Sequence, residues 1–332
     1  MTDRRALACA VCLLAACPAL PAGAVDVTVT ATPVTRFAGT NVGGRVDGLV
    51  WRGGLVLDAA SDQFGGLSSI TFTGPDQHLA MVSDRGNFVS GQLLYDDQGL
   101  PFNLVGVTID PIQNSKGAPL PRAFAQDAEG MDTVYRDGAP VAVRVSFENL
   151  TRVADFALTD GVPGGPAREI AIPDWISALR TNESLESVCI APPASPIAGS
   201  TLLIVEATDE TGNHPAWLLG NKDKGPLSLT AARGVNPTDC AFLPNGDLLV
   251  LERGTALLSF VMRLRRIPAA EVKPDAVMSG EVLLRASGGD IDNMEGVTVH
   301  TGPDGKPRIT LMADNNFNDW ERNLLLEFSL PE

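Results

Sequence analysis

The chain has 332 residues, 44% hydrophobic and 5% aromatic, with 40 acidic side chains against 25 basic ones and a formal charge of −15. A surface that acidic repels nucleic acid and anionic lipid and favours cations. Three histidines, His78, His214 and His300, stand without ligand-like spacing, which argues against zinc.

The first segment, residues 1–24, carries Arg4 and Arg5, an apolar run from Ala6 to Ala16, then Pro18, Pro21 and the small residues Ala22, Gly23 and Ala24. That order predicts a cleavable secretory signal and a periplasmic or secreted destination. The run covers about 11 residues, against the roughly 20 of a membrane-spanning helix, and no later stretch comes closer. Leu14-Ala15-Ala16-Cys17 also reads as a lipoprotein box, so a lipid anchor at Cys17 stands as the alternative to cleavage after Ala24. Cleavage removes one Asp and two Arg and leaves the mature chain one charge more negative. It also leaves two cysteines, Cys189 and Cys240, either bridged between neighbouring repeats or buried as thiols.

Residues 25–332 read as a single domain and a monomer. A phrase recurs along it, a small or acidic pair followed by apolar residues: GLSSI from Gly66, AEGM from Ala128, LESV from Leu185, TDCA from Thr238 and MEGV from Met294. Counted from Ser68, the acids Glu129, Glu186, Asp239 and Glu295 follow at intervals of 61, 57, 53 and 56 residues. Each phrase leads into a second strand ending in polar residues, near Asp84, Glu148, Glu206, Glu252 and Asp314, and two more strand-like runs complete the unit. Four short strands separated by Gly, Pro and Asn turns predict a propeller blade. The fold class is therefore an all-β propeller of four-stranded blades, five by this count. The last unit lacks a strand, which Gly48–Asp58 supplies to close the ring. Val25–Val34 has no assigned place, so six blades stay open. Short helical turns are expected over Asp174–Arg180 and Pro268–Val272.

In a propeller the first strand of each blade lines the central channel. The acids Glu129, Glu186, Asp239 and Glu295 then converge there, with Asp84, Glu148, Glu206, Glu252 and Asp314 close behind. Such a cluster needs protonation, neighbouring cations such as Arg85 and Arg253, or a bound hard cation. Calcium suits it, taking 6–8 oxygen ligands in flexible geometry, with Asn182, Asn236, Asn293, Asn315 and Asn316 as neutral donors. The alternative for each residue is a turn cap that satisfies backbone groups. Arg85 and Arg253 either grip an anion or pair with the acids. No nucleophile elbow, metalloprotease helix, phosphate loop or dinucleotide fingerprint is present. Ser68 and Ser69, which stand where other repeats carry an acid, lack an identifiable base and read as packing residues.

The phrases FGGLSSI with SDRGN (Phe64 to Asn87), DAEGMD (Asp127 to Asp132), NESLES (Asn182 to Ser187), PTDCAFLPNGDLLVLERG (Pro237 to Gly254), and DNMEGVTV with ADNNFN and LLLEFSL (Asp292 to Leu330) resemble the phytase-like propellers with "esterase-like activity of phytase". The resemblance runs in order over nearly the whole mature chain. It implies hydrolysis of a phosphate ester or small carboxylic ester, with calcium at the acidic mouth binding the substrate and activating water. On that reading Glu129, Glu295, Arg85 and Arg253 are catalytic, and Asp84, Glu129, Glu186, Glu206, Asp239, Glu252, Glu295 and Asp314 hold metal. The alternatives are a non-catalytic envelope propeller that binds a polymer or protein, and a lactonase-type propeller.

Overall fold

Two inner strands of the repeat are buried on both faces, and this decides where they lie. Thr201–Val205 (TLLIV) and Leu67–Phe72 are buried at every position, whereas Asn213–Leu219, further out, alternates between buried and half-buried side chains. A strand buried on both faces must be sandwiched between sheets. The computed structural model, which describes residues 23–220, 223–257 and 259–331, does this with five radial sheets. The signal-like residues up to 22, Cys17 among them, lie outside the described residues.

From the axis outward, the first blade consists of Leu67–Phe72, His78–Ser83, Asn87–Tyr95 and Pro101–Pro111. The second consists of Ala128–Arg136, Ala139–Phe147, Arg152–Thr159 and Val162–Ile170. The third consists of Leu185–Ile190, Thr201–Val205, Asn213–Leu219 and Gly225–Thr230, with Val277–Met278 added in parallel at its edge. The fourth contains Asn236–Phe242, Leu248–Ala256, Ser259–Ile267 and Glu281–Ser287. The fifth takes Asn293–Thr301, Pro307–Asp314 and Asn323–Ser329 from the end of the chain, and Leu49–Ala59 from its beginning. Leu55 lies opposite Leu325 and Leu57 opposite Asn323, so the ring closes by pairing early and late strands.

The count is five blades. Val25–Val34, unplaced from sequence, splits into two edge strands: Val25–Val27 covers the outer edge of the first blade and Val29–Val34 that of the fifth. Covering an outer strand removes exposed pairing groups. The expected helical turns are short, Asp174–Ser177 and a 3-10 turn at Ala269–Glu271. No helix among the described residues is long and apolar enough to cross a membrane.

Each seam between neighbouring blades holds its own apolar cluster, exemplified by Leu55 with Leu67, Val82 with Met131, Leu185 with Val153, Ile204 with Val250, and Leu251 with Leu311. Each wholly buried Leu or Ile contributes roughly 1.5–3 kcal/mol by leaving water. Cys189 and Cys240 are disulfide-bonded, with Cα atoms 5.8 Å apart, and tie the inner strands of the third and fourth blades.

Candidate functional site

The inner strand of every blade contains a register shift near its start, at Leu67/Ser69, Ala128/Met131, Leu185/Ser187, Pro237/Asp239 and Met294/Gly296. A bulge inserts one residue, bends the strand and re-aims a side chain. The residues at the bulge are Ser68, Glu129, Glu186, Thr238 and Glu295. Where each second strand ends, the equivalent position holds Asp84, Glu148, Glu206, Arg253 and Asp314. The pairings of Asn236 with Arg253 and Asn293 with Asp314 show this, as do the amide bonds of Asp84, Glu148 and Glu206 to the carbonyls of Gly66, Asp127 and Ser184.

These two tiers meet at one mouth of the channel. Asp127, Glu129 and Glu148 can each present an oxygen with all three atoms within 4.8 Å of one another. Glu186 is buried, and burial followed by the charges of Glu129, Glu148, Glu206 and Glu295 drives its pKa well above the carboxylate range. Glu129 is raised likewise by burial and then by Asp127, Glu148 and Glu295. Burial pushes Glu148 up to about 8 against the opposing bond from Ser184 N–H, with Asp127 and Glu206 adding to the rise. On the other side of the mouth, Asp84 and Asp314 are each raised to about 6, chiefly by burial. Asp314 and Asp127 repel Asp84, and Glu295 repels Asp314.

Several acids also hold neighbouring blades. Glu148 Oε1 accepts from Ser184 N–H at 2.6 Å and Asp314 Oδ1 from Leu67 N–H at 2.9 Å. Asn236 donates to Glu206 at 3.0 Å and Asn293 to Glu295 at 2.5 Å. Asn315 and Asn316 serve the loop that follows, bonding Phe317 N–H and Glu321. Asp84 Oδ1 is buried without a hydrogen-bond partner.

Two residues read from sequence as ring acids stand elsewhere. Asp239 is one residue beyond the bulge, level with Ser69, Gly130, Ser187 and Gly296; the ring position of the fourth blade belongs to Thr238. Asp239 is fully buried, and its Oδ2 accepts from Ser69 Oγ at 2.8 Å and Val297 N–H at 3.0 Å. Glu252 precedes the ring position held by Arg253 and so faces the other side of its strand. Both its oxygens are taken by guanidinium groups, from Arg263 and Arg265. The fourth phrase carries its acid one residue later against the common bulge, Pro237-Thr238-Asp239 standing where other blades have Ala128-Glu129-Gly130 or Met294-Glu295-Gly296, and its second strand carries Glu252 one residue before the ring position.

Arg253 Nη2 contacts both oxygens of Glu295, at 2.9 and 3.2 Å, so it pairs with the ring instead of standing free. The Arg85 guanidinium lies 3.2 Å over the Phe317 ring and donates to the Asp62 carbonyl. Asp127 is a site residue that the repeat does not single out. Its signal within the DAEGMD phrase is a carboxylate two residues before Glu129, where the chain leaves the short helix Ala123–Gln126 and enters the inner strand.

The donor set suits calcium. It is all oxygen, three carboxylates converge on one point, a buried Asp84 oxygen lacks a partner, and the crowded acids are costly without positive charge.

A family profile described as phytase-like, "Esterase-like activity of phytase", matches residues 62–317. Among solved structures, the PQQ-bound aldose sugar dehydrogenase from Streptomyces coelicolor aligns at 10% identity over 92% of this chain and 100% of that one, with a TM-score of 0.43. A glucose dehydrogenase aligns at 13% identity over 85% of this chain and 99% of that one, with a TM-score of 0.45. No curated protein matches the sequence.

Proposed function

The chain belongs to the phytase-like family with esterase-like activity of phytase, and from that premise we propose that it is an exported, calcium-dependent hydrolase of a phosphate ester or small carboxylic ester. The observation that carries the reading is the convergence of Asp127, Glu129 and Glu148 on one point beside Glu186. Asp127, Glu129 and Glu148 would hold the cation, and the chemistry it would supply there is to polarise an ester oxygen and lower the pKa of water. Glu186 keeps a proton to higher pH than an ordinary carboxyl and is suited to hand it to the leaving oxygen. Arg253, locked on Glu295, limits the negative charge at the mouth so that an anionic substrate can approach. Export is supported by the signal-like first segment and by the Cys189–Cys240 disulfide, a bond at home in an oxidising compartment.

The test is thermal unfolding of the mature protein in EDTA and in graded calcium, beside hydrolysis of a chromogenic phosphomonoester and a short acyl ester. Calcium-dependent stabilisation with turnover that Glu129→Gln and Glu186→Gln each abolish supports the enzyme. A folded protein with no calcium response and no turnover removes it. That outcome would leave a non-catalytic propeller, a reading favoured by the bonds from Glu148 to Ser184 N–H and from Asp314 to Leu67 N–H, which use mouth acids as clasps between blades.

A further inference from the structure

The fourth blade supplies no acid to the mouth, and the side of it that faces the third blade is basic. A cleft of about 380 Å³ lies there, lined by Arg233, Val261, Arg263, Arg285 and Ser287 among others. Arg233 comes from the connection between the two blades, and Arg265, two residues beyond Arg263 on the same strand face, bonds Thr230 of the third blade through Oγ1 and the carbonyl.

Arg263 and Arg285 stand directly opposite each other on adjacent antiparallel strands. Like charges in that position are destabilising unless something neutralises them. Among the described residues, the carboxylate that pairs with the cluster's guanidiniums is Glu252, which is fully buried and already shared by Arg263 and Arg265. It grips Arg263 through Nε and Nη2, which fixes the guanidinium plane and leaves Nη1 unused. Arg233 and Arg285 are exposed and, among the described residues, form no side-chain hydrogen bond or ion pair. Asp47, beside Arg285, spends its Oδ2 on that residue's backbone N–H at 2.9 Å.

A second cleft, about 400 Å³ on the second blade, shows what a self-satisfied version looks like. There Arg152 stacks on Phe147 and donates to the carbonyls of Leu150 and Ala125, Arg180 donates to the carbonyls of Ser177 and Leu179, and Glu169 lines the wall. The cleft on the fourth blade has no such internal partners for Arg233 and Arg285.

We propose that the Arg233–Arg263–Arg285 cleft is a binding site for an oxyanion, a phosphoryl or carboxylate group that bridges the opposed guanidiniums through two or more oxygens. Guanidinium forks match such groups bidentately, and the buried Glu252 pre-orients one fork. The site is separate from the channel, because Arg253 faces the mouth while its neighbour Glu252 faces the cleft. It needs no calcium and does not rest on the mouth being catalytic.

The experiment is titration of the mature protein with inorganic phosphate in EDTA at constant ionic strength, read by calorimetry and thermal shift. Parallel arms use a phosphomonoester, acetate and citrate to separate phosphoryl from carboxylate ligands. Arg233 and Arg285 are exposed, so Arg233→Gln and Arg285→Gln should fold normally. Saturable binding in EDTA that weakens at least fivefold in each variant, and persists in Glu129→Gln, is the expected result. Absence of saturable binding for every anion, binding untouched when Arg233→Gln and Arg285→Gln are combined, or binding that requires calcium would each overturn the proposal.

Discussion

Ser69 of the first blade donates a 2.8 Å hydrogen bond to Asp239 of the fourth, across the channel from one inner strand to another. Val297 N–H of the fifth blade donates to the same Asp239 oxygen, and Met131 N–H of the second blade donates to Ser69 Oγ at 3.0 Å. One buried carboxylate and one hydroxyl thus join four inner strands.

Asp239→Asn should therefore weaken the fold, because an amide nitrogen presents a donor where donors already converge. Leaving such buried groups unsatisfied costs about 1–3 kcal/mol, which for a domain this size lowers the unfolding temperature by roughly 2–4 °C per kcal/mol. Thermal unfolding of Ser69→Ala, Asp239→Asn and the double variant tests this: the two changes should be non-additive, while the calcium response stays as in the parent. Strict additivity would mean that the bond does not couple the strands.

The metal-free protein should lose stability as pH rises. Asp84 and Asp314 are raised from 3.8 to about 6 in the fold, so the folded state binds more protons than the unfolded one. Their protonation supports the fold most at low pH, and that support is lost as pH climbs from about 4 through about 6; Glu148, at about 8, extends the fall. In EDTA the unfolding temperature at pH 5.5 should exceed that at pH 8, and Asp84→Asn with Asp314→Asn should flatten the difference. A rising profile over that window would contradict the assigned shifts.

Arg253→Gln should separate charge from calcium affinity. It leaves Glu295 without its ion pair, so the metal-free fold should be less stable. The mouth gains one net negative charge, and calcium should bind roughly five- to tenfold more tightly, since a shift of about 1 kcal/mol is typical of one nearby charge at partial burial. Weaker calcium binding in this variant would show that Glu295 needs the arginine to be positioned.

Reduction of the Cys189–Cys240 bond, or Cys189→Ser with Cys240→Ser, should destabilise the ring without dissolving it. The cysteines are 51 residues apart, and closing a loop of that length contributes about 4 kcal/mol in the chain-entropy treatment. The apolar clusters in the seams remain. A two-state transition at a lower temperature, with the calcium response retained, is expected; loss of folding would mean that the bridge holds the inner strands in register.

Much of the architecture is legible in the sequence because its signals are local. The recurring phrase marks the start of each inner strand, alternation separates outer from inner strands, and the short last unit together with Gly48–Asp58 points to ring closure. The convergence of Glu129, Glu186, Glu295, Asp84, Glu148, Glu206 and Asp314 on one mouth follows from the same locality: each sits at a fixed offset from a strand boundary that its neighbours announce.

Register and the packing of non-neighbouring strands are not legible in that way. A one-residue offset of the fourth phrase against the bulge puts Thr238 in the ring and Asp239 beyond it, and one step along a strand separates Arg253 in the channel from Glu252 in the seam. Arg233, Arg263 and Arg285 carry no shared motif and become one site only when a connection and two antiparallel strands bring them together. Strand periodicity and turn chemistry act over a few residues, so a five-unit acidic propeller can be read along the chain. Which face each charge occupies depends on pairing across strands, and that rests on contacts between residues distant in the chain.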